Sequence, residues 1–286
     1  MSELRQGELG YDIDNENLDD LNKGDEPVVL MSAFENMIPD FNCQIDPTTI
    51  AVVLNQGSLG SCQGHSLSTV FQICYFLATG RTAIFSRAAA YYLSQRKDKI
   101  RGDRGSTLSG GRWVATEHGM CLEEHWPYIE RYDPKEPEGV PYQYKLKVSR
   151  PFKTVDEILE WIKLGLPVQT GVRWGREMNT EVVEKASKRG GGHSTCLWSM
   201  RGDHCNNINS WGQSWNGDGV HCWSLAAIEE MLDHGGIFVG YSPDGFDYPG
   251  GTGRLAGRCR CRKNPWPLSP AGRCRSRHPS RSGRHH

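Results

Sequence analysis

Residues 55–62 read NQGSLGSC, a glycine-rich turn that ends in a single thiol. After Cys62 the apolar residues recur at spacings of three and one, which is typical of one buried stripe on a helix. Gly80 is the residue type that commonly ends such a helix. Cys62 is therefore predicted to lie at a helix N-terminus, where the helix dipole and a nearby imidazolium lower a thiol pKa and create a nucleophile.

The glycines of this turn would allow the backbone to pass close to a substrate carbonyl group. The Cys62 amide and the Gln56 side chain could then donate hydrogen bonds to the oxyanion that forms when a thiolate attacks that carbonyl. One such donor typically contributes about 3 kcal/mol. Gln56 is therefore a predicted oxyanion donor, and Gly60 and Ser61 are predicted to contact the substrate.

Two motifs in the second half of the chain can complete a catalytic site. His193 follows Cys62 by 131 residues, and Asn209 follows it by 147 residues. Both lie on predicted strands, so they would face a helix-borne thiol across a cleft. A thiol within reach of an imidazole that a third group orients is the usual arrangement for nucleophilic catalysis by cysteine.

Helical patterns dominate the first half of the chain, and short strands dominate the second half. Ser86 caps a predicted second helix, GGRWVATEHG predicts a third, and Thr154 with Glu157 has the spacing of a capping box. A further capped helix, SLAAIEEML, lies among strand-like runs, which are LPVQTGV, HSTCLWSM, CNNINS, GVHCWS and GIFVGY. The sequence thus predicts an α+β fold with two lobes and a cleft between them.

Three motifs together resemble the papain-like cysteine peptidase family in order and spacing. They are Gln56 to Cys62, Gly191-Gly192-His193, and Asn209-Ser210-Trp211-Gly212 with Trp215 and Gly217. The resemblance covers roughly residues 45–245, and it is greater to bacterial and viral members than to secreted lysosomal ones. It implies the papain-like two-lobe fold, in which a helical lobe and an antiparallel sheet or barrel lobe flank the active-site cleft.

The resemblance also implies a role for each matching residue. Cys62 is the expected nucleophile, His193 the acid and base, Asn209 the residue that orients the imidazole, Gln56 the oxyanion donor, and Trp211 the shield over the His-Asn hydrogen bond. The expected activity is hydrolysis of peptide bonds through a thioester acyl-enzyme, with a polypeptide substrate and without a metal or cofactor. The residues expected to bind substrate are Gly60, Ser61, Gly105, Ser106, Gly192 and Trp211.

The chain departs from the family pattern at three places. Leu59 stands where members with a disulfide in this region carry a cysteine, so that bridge is absent. Gln63 stands where a tryptophan or a small residue is usual, which leaves the specificity of one side of the cleft open. The residues before the domain lack an obvious helical inhibitory pro-segment, so control by such a device is not expected.

Charge divides the chain into three predicted regions. Residues 1–45 form an acidic, partly disordered segment, and residues 1–50 hold twelve acidic and two basic residues. Residues 46–246 form the predicted peptidase domain. Residues 247–286 form a basic tail that is predicted to be disordered, with ten basic residues and no acid from Gly250 onward. The stretch VVLMSAFENMIPDFN within the first region is expected to pack on the domain.

Neither a secretory signal nor an apolar run long enough to span a membrane is visible, so a cytoplasmic monomer is expected. The ten cysteines are spread over a long chain, which favours reduced thiols over a disulfide framework. The basic tail could bind nucleic acid or another polyanion, or it could be an unselected extension.

Several alternatives compete with this interpretation. His65 lies one helical turn after Cys62 and could form a rival pair within the helix. Zinc could be bound by two sets of cysteine and histidine residues, which are Cys196 with His204-Cys205 and His221-Cys222, and Cys259, Cys261 and Cys274 with His278. The second functional hypothesis is a catalytically weak papain-like binding or scaffold module with a polyanion-binding tail.

Overall fold

The computed structural model of the chain describes residues 9–22 and 46–253. Its α-helices are α1 (Leu18–Leu21), α2 (Cys62–Thr79), α3 (Arg87–Asp98), α4 (Leu108–Trp113), α5 (Val155–Lys163) and α6 (Leu225–Asp233). A π-helical turn, Val114–His118, continues α4. No helix within the described ranges has both the length and the apolar character that a membrane crossing requires.

Nine strands form two sheets in the part of the chain that the structure describes. They are β1 (Val148–Phe152), β2 (Val168–Trp174), β3 (Val182–Val183), β4 (Gly191–Arg201), β5 (His204–Ile208), β6 (Val220–Trp223), β7 (Ile237–Ser242), β8 (Phe246–Tyr248) and β9 (Gly251–Gly253). Seven of them form one sheet in the order β1-β7-β2-β4-β5-β6-β3, and β8 pairs with β9. The pairs of the large sheet are antiparallel except for β3 with β6.

The predicted helix starts and stops are confirmed where local hydrogen bonds set them. Gly80 ends α2 with a φ of 69°, a conformation that glycine adopts without strain. The Ser86 side chain accepts a hydrogen bond from the Ala89 amide at the start of α3. Thr154 and Glu157 form the predicted capping box of α5.

Helix α2 lies at the centre of the molecule. One hydrophobic cluster joins residues of α2, α3 and α4 to one face of the large sheet, and a second cluster joins α5 and α6 to the other face. All residues from Cys62 to Tyr75 are buried, so α2 is covered on every side rather than along the single predicted stripe. The cause is that α2 packs against both α3 and strand β4.

Strand β1 and the β8–β9 hairpin were not predicted from the sequence. Pro151 lies within β1, and it is tolerated because β1 is an edge strand with one unpaired side. The hairpin lies beyond residue 246, where the domain was predicted to end, and its last residue is Gly253. The stretch VVLMSAFENMIPDFN and residues 254–286 lie outside the described residues, so the proposed division of the chain into three regions stays a prediction.

Candidate active site

Cys62 is the first residue of α2 and is fully buried. Gly64, in the same helical turn, fixes how closely the next helix approaches. A Cβ at this position would lie 2.8 Å from the Arg87 carbonyl oxygen and 2.9 Å from the Tyr91 amide nitrogen. Because glycine leaves this space free, α3 packs directly on the first turn of α2 and holds the Cys62 end of the helix in place.

His193 and Asn209 form a hydrogen-bonded pair. The distance between His193 Nε2 and Asn209 Oδ1 is 2.8 Å, and the Ser210 amide donates to the same Oδ1 at 2.7 Å. Since a backbone N–H can only donate, Oδ1 must be the carbonyl oxygen of the side chain, and Nε2 of His193 must carry the proton. In a neutral ring this leaves Nδ1 with its lone pair, and Nδ1 makes no hydrogen bond within the described residues.

Aromatic rings cover this pair. The Trp211 ring stacks on the His193 ring with centroids 4.8 Å apart, and Trp174 meets the same ring edge-on at 4.7 Å. Together with the burial of Asn209, these rings exclude water from the His193–Asn209 hydrogen bond. A hydrogen bond is stronger in such a low-dielectric setting.

The starts of α2 and β4 lie against each other. The side-chain hydroxyls of Ser66 and Ser194 are 2.7 Å apart. The backbone amide of Ser194, the residue after His193, also donates toward the Cys62 sulfur. The structure therefore brings the predicted nucleophile next to the strand that carries the predicted base.

The Gln56 side chain is held rigidly beside this centre. Its Nε2 donates to the Leu59 carbonyl at 2.8 Å, and its Oε1 accepts from the Ser210 hydroxyl at 2.6 Å. One of its N–H groups is thus used inside the 55–62 turn. The same contacts join that turn to the segment that carries Asn209.

A segment that we call the strap, residues 9–17, crosses the cleft over Cys62. The Gly10 amide donates to Cys62 Sγ at 3.3 Å, and the Tyr11 amide donates to the Gly192 carbonyl at 3.0 Å. Ser106 holds the strap on both sides of Tyr11: its amide donates to the Gly10 carbonyl at 3.0 Å, and its carbonyl accepts from the Asp12 amide at 2.9 Å. This pairing of Tyr11 with Ser106 is a parallel bridge.

The strap contacts most of the residues that were predicted to bind substrate. Besides Ser106 and Gly192, it lies against Gly60 and Gly105, where an added Cβ would be 3.3 Å from the Gly10 Cα and 2.5 Å from the Gly10 carbonyl oxygen, respectively. Ser61 differs, since its hydroxyl points away from the cleft to the Tyr128 hydroxyl at 2.7 Å. The strap was missed in the sequence, where only the short apolar run LGY in an acidic segment marks it.

Polar contacts anchor the far end of the strap. Glu16 accepts hydrogen bonds from the Leu108 and Ser109 amides, both at 2.8 Å, at the start of α4. Beyond the strap, the Asp20 carbonyl accepts from Arg112 at 3.0 Å, and Leu21 is 1% exposed. Residues 9–22 of the acidic segment thus have partners on the domain, and the partial disorder expected for residues 1–45 as a whole stays a prediction.

Burial determines the protonation of the two central groups. It raises the pKa of Cys62 to about 11, although the amides of Ser194, Gly10, Gln63 and Cys62 itself oppose the shift. Burial likewise lowers the pKa of His193 to about 4, against the effect of Asn209. The sequence predicts a lowered thiol pKa, and this is wrong for the strap-covered form, since loss of solvent outweighs the helix dipole.

The side chains of His65 and Gln63, which lie close to Cys62 in the sequence, both contact neighbouring residues of the domain. His65 bonds the Ser61 carbonyl through Nδ1 at 2.9 Å and packs edge-on against Tyr128, so its contacts are structural. Gln63 is buried and accepts from the Ser106 hydroxyl at 2.8 Å, so it supports Ser106 from below. Gln63 therefore lies beneath Ser106, one of the residues that were predicted to bind substrate.

The described ranges contain six cysteines, and all six are free thiols. They are Cys62, Cys74, Cys121, Cys196, Cys205 and Cys222. Within those ranges no group of three or more His, Cys, Asp or Glu side chains is arranged to hold a metal ion. The second zinc alternative, at 259–278, lies outside the described residues.

Comparison with solved structures identifies the fold. Xylellain, a cysteine protease from Xylella fastidiosa, matches with a TM-score of 0.62 and 20% identity over 85% of this chain and 98% of that one. Procathepsin B S9 from Trypanosoma congolense matches with a TM-score of 0.56 and 15% identity over 75% and 78%. The Carica candamarcensis cysteine protease CMS1MS2 matches with a TM-score of 0.54 and 20% identity over 71% and 99%.

No protein-family model matches the sequence, and no curated protein matches it. The likeness is therefore one of structure at low identity. It confirms the predicted α+β papain-like two-lobe fold.

Proposed function

We propose that this chain is a cysteine-type peptidase in which Cys62 is the nucleophile, His193 the acid and base, and Asn209 the residue that orients the imidazole. The observation that carries the proposal is the His193–Asn209 pair, which leaves the His193 Nδ1 without a hydrogen bond within the described residues. The next residue of the same strand, Ser194, contacts Ser66 close to the start of α2. The papain-like fold and the structural neighbours described as cysteine proteases support it.

The proposed reaction has two halves. His193 Nδ1 takes the proton of the Cys62 thiol, and the sulfur attacks the peptide carbonyl carbon while the Cys62 amide and the Gln56 side chain donate to the oxyanion. His193 then protonates the leaving amine, and a thioester remains. In the second half His193 removes a proton from water and the water oxygen attacks the thioester carbon. The carbon–sulfur bond then breaks, the carboxylic acid product leaves, and His193 returns the proton to the Cys62 sulfur.

We further propose that the strap holds this peptidase in a resting form. The strap presents an N–H group to the sulfur, and a nucleophile requires a carbonyl carbon at that position. It also uses the backbone groups of Ser106 and Gly192 that an extended substrate would need. Activity would then depend on displacement of the strap, which also returns solvent to Cys62 and removes the burial that raises its pKa.

Hydrolysis of an unstructured protein such as denatured casein tests the proposal. Gly10→Ala, in which an added Cβ would collide with the Gly60 carbonyl group and release the strap, should produce peptides faster than the natural chain. Adding Cys62→Ala to this variant should abolish hydrolysis. Adding Cys74→Ala instead should leave it unchanged, because Cys74 is a buried cysteine of the same helix at a distance from the cleft. Hydrolysis that persists in Cys62→Ala would contradict the assignment of the nucleophile.

If the chain is instead a binding or scaffold module, Cys62 is not expected to be an activated thiol, and its reactivity separates the two proposals. At mildly acidic pH, Cys62 of a strap-free peptidase should react with iodoacetamide faster than a free thiol does, because a thiolate is then present. If Cys62 reacts no faster than a free thiol after the strap is released, the scaffold interpretation is favoured. The basic tail lies outside the described residues, so polyanion binding stays a prediction.

A further inference from the structure

The Asp103 carboxylate joins two segments that border the cleft. Its Oδ1 accepts a hydrogen bond from the Gly60 amide at 2.9 Å and another from the Tyr91 hydroxyl at 2.8 Å. Gly60 lies two residues before Cys62, and Asp103 lies three residues before Ser106. One carboxylate oxygen therefore connects the turn that ends at the candidate nucleophile, residues 55–62, to the loop that carries Ser106, residues 102–106.

Helix α3 holds this carboxylate in place through two buried side chains. Tyr91 is fully buried, and burial together with the charge of Asp103 raises its pKa above the usual range, so its hydroxyl is protonated and donates to the carboxylate. The Tyr91 oxygen in turn accepts from Gln95 Nε2 at 3.0 Å. Gln95 Nε2 also lies 2.9 Å from the Gly102 carbonyl oxygen and 2.7 Å from the Gly105 carbonyl oxygen. The loop is thus held on both sides of Asp103.

The link between the turn and the loop is noncovalent. Leu59 offers no thiol, and the six cysteines of the described ranges are free, so no disulfide joins the two segments within those ranges. Ser106 has a further contact, from its hydroxyl to Gln63, but this contact ties the end of the loop to α2 rather than to the turn. Asp103 therefore supplies a direct side-chain hydrogen bond between the turn and the loop.

We propose, on the basis of the proposed peptidase function, that Asp103 is a positioning residue that keeps the turn and the loop at the spacing an extended peptide substrate requires. The strap already occupies this spacing, because Gly10 lies against Gly60 and its carbonyl accepts from the Ser106 amide at 3.0 Å. A peptide that replaces the strap would meet the same two segments. Within the described residues, the hydrogen bonds of the Asp103 side chain go to Gly60 and Tyr91 and not to the proposed catalytic residues. Its loss should therefore raise KM and change kcat little.

Variants of the strap-released Gly10→Ala chain test the proposal, with a casein peptide that spans one identified cleavage site as the substrate. Asp103→Leu has a similar size but no acceptor, and its KM should rise about tenfold while kcat stays within about threefold. Asp103→Asn keeps a side-chain oxygen for the Gly60 amide and should retain a KM close to that of the Gly10→Ala chain. Asp203→Leu, at an exposed aspartate between β4 and β5, should leave both constants unchanged.

Tyr91→Phe separates a positioning role from a general loss of stability. It removes one donor to the Asp103 carboxylate, so KM should rise about threefold. This rise should be absent in the Asp103→Leu background, because the two residues act through one link. Independent effects of the two substitutions on KM would overturn the proposal, and so would an equal KM in Asp103→Leu and Asp103→Asn.

If Cys62-dependent hydrolysis is absent, the proposed function fails, and the strap then tests the role of Asp103. The strap lies against both the turn and the loop, so Asp103→Leu in the otherwise natural chain should raise the rate at which iodoacetamide labels Cys62 by about threefold or more. Asp103→Asn should leave this rate unchanged. Equal labelling rates in both variants and the natural chain would reject the positioning role.

Discussion

The Gly10 amide donates a hydrogen bond to the Sγ of Cys62 over 3.3 Å. In the proposed peptidase this contact would make the strap an inhibitor rather than a substrate, because a donor faces the sulfur and the neighbouring Gly10 carbonyl is turned to the Ser106 amide. The sulfur therefore has no electrophile to attack. The strap can remain in the cleft without being cleaved, provided that its backbone contacts are kept.

Gly10→Ala should release the strap. A Cβ on Gly10 would collide with the Gly60 carbonyl group, which is backbone and cannot move aside easily. Overpacking of this kind typically costs about 1–3 kcal/mol, which corresponds to an increase of roughly 5- to 150-fold in the open form. Labelling of Cys62 by iodoacetamide, measured by peptide-resolved mass spectrometry, should accelerate by that factor, and casein hydrolysis should rise with it.

Gly251→Ala is the matched control for this change. The nearest atom to an added Cβ there is the Tyr248 hydroxyl at 3.3 Å, which is the end of a flexible side chain. Its labelling rate should equal that of the natural chain. If Gly10→Ala is labelled no faster than Gly251→Ala, the strap does not protect the thiol.

Glu16→Gln should weaken the other end of the strap. The Glu16 carboxylate accepts two backbone N–H groups at the start of α4, and hydrogen bonds to a charged acceptor are stronger than those to a neutral amide. A loss of about 1 kcal/mol would raise the Cys62 labelling rate roughly fivefold. Glu160→Gln, an exposed glutamate of α5, should leave the rate unchanged, and an equal effect of both variants would argue against the anchor.

Asn209→Ala should reduce turnover because the imidazole loses the group that fixes its tautomer. We expect kcat of the opened enzyme, for example Gly10→Ala, to fall on the order of 100-fold, with a smaller change in KM. The chain supplies a matched pair for comparison, since His221 and Asn207, which have no role in the proposed reaction, make a similar buried hydrogen bond of 2.9 Å. Asn207→Ala should lower the unfolding temperature but spare kcat per folded enzyme, and equal losses of kcat would contradict the assigned role of Asn209.

The sequence predicted those parts of the structure that short-range chemistry controls. The ends of α2, α3 and α5 follow from Gly80, Ser86 and the Thr154–Glu157 capping box, which satisfy backbone groups within a few residues. These helix ends needed no knowledge of the rest of the chain. The His193–Asn209 pair, in contrast, was expected from the resemblance to the papain-like family, and its two side chains are hydrogen bonded.

Neither the strap nor the raised pKa of Cys62 was predicted from the sequence. The strap is held in the cleft mainly by backbone hydrogen bonds to Ser106 and Gly192, and backbone groups leave no trace in the residue types. The predicted lowering of the Cys62 pKa was wrong for a related reason. The helix start at Cys62 was correctly located, but the burial that raises the thiol pKa comes partly from residues far away in the sequence.

Acid should unfold this protein from an unusually high pH. Burial lowers the pKa of His65 and His221 to about 3 and that of His193 to about 4, whereas the unfolded chain titrates near 6.5. Below that pH the unfolded state binds up to three more protons, so the stability contributed by the neutral rings is complete above pH 6.5 and is lost as the pH falls. Asp98, whose pKa burial raises to about 6, opposes this trend, since its protonation below pH 6 favours the folded state.

With about two protons in net excess, the free energy of unfolding should fall by roughly 3 kcal/mol per pH unit between pH 6 and pH 5. Urea unfolding followed by tryptophan fluorescence at several pH values measures this slope. His221→Gln should reduce the slope by about one proton, because glutamine does not titrate in the unfolded state. A free energy of unfolding that stays constant from pH 7 to pH 5 would mean that these rings are solvated, and the closed, water-free arrangement of His193 under Trp211 would then have to be abandoned.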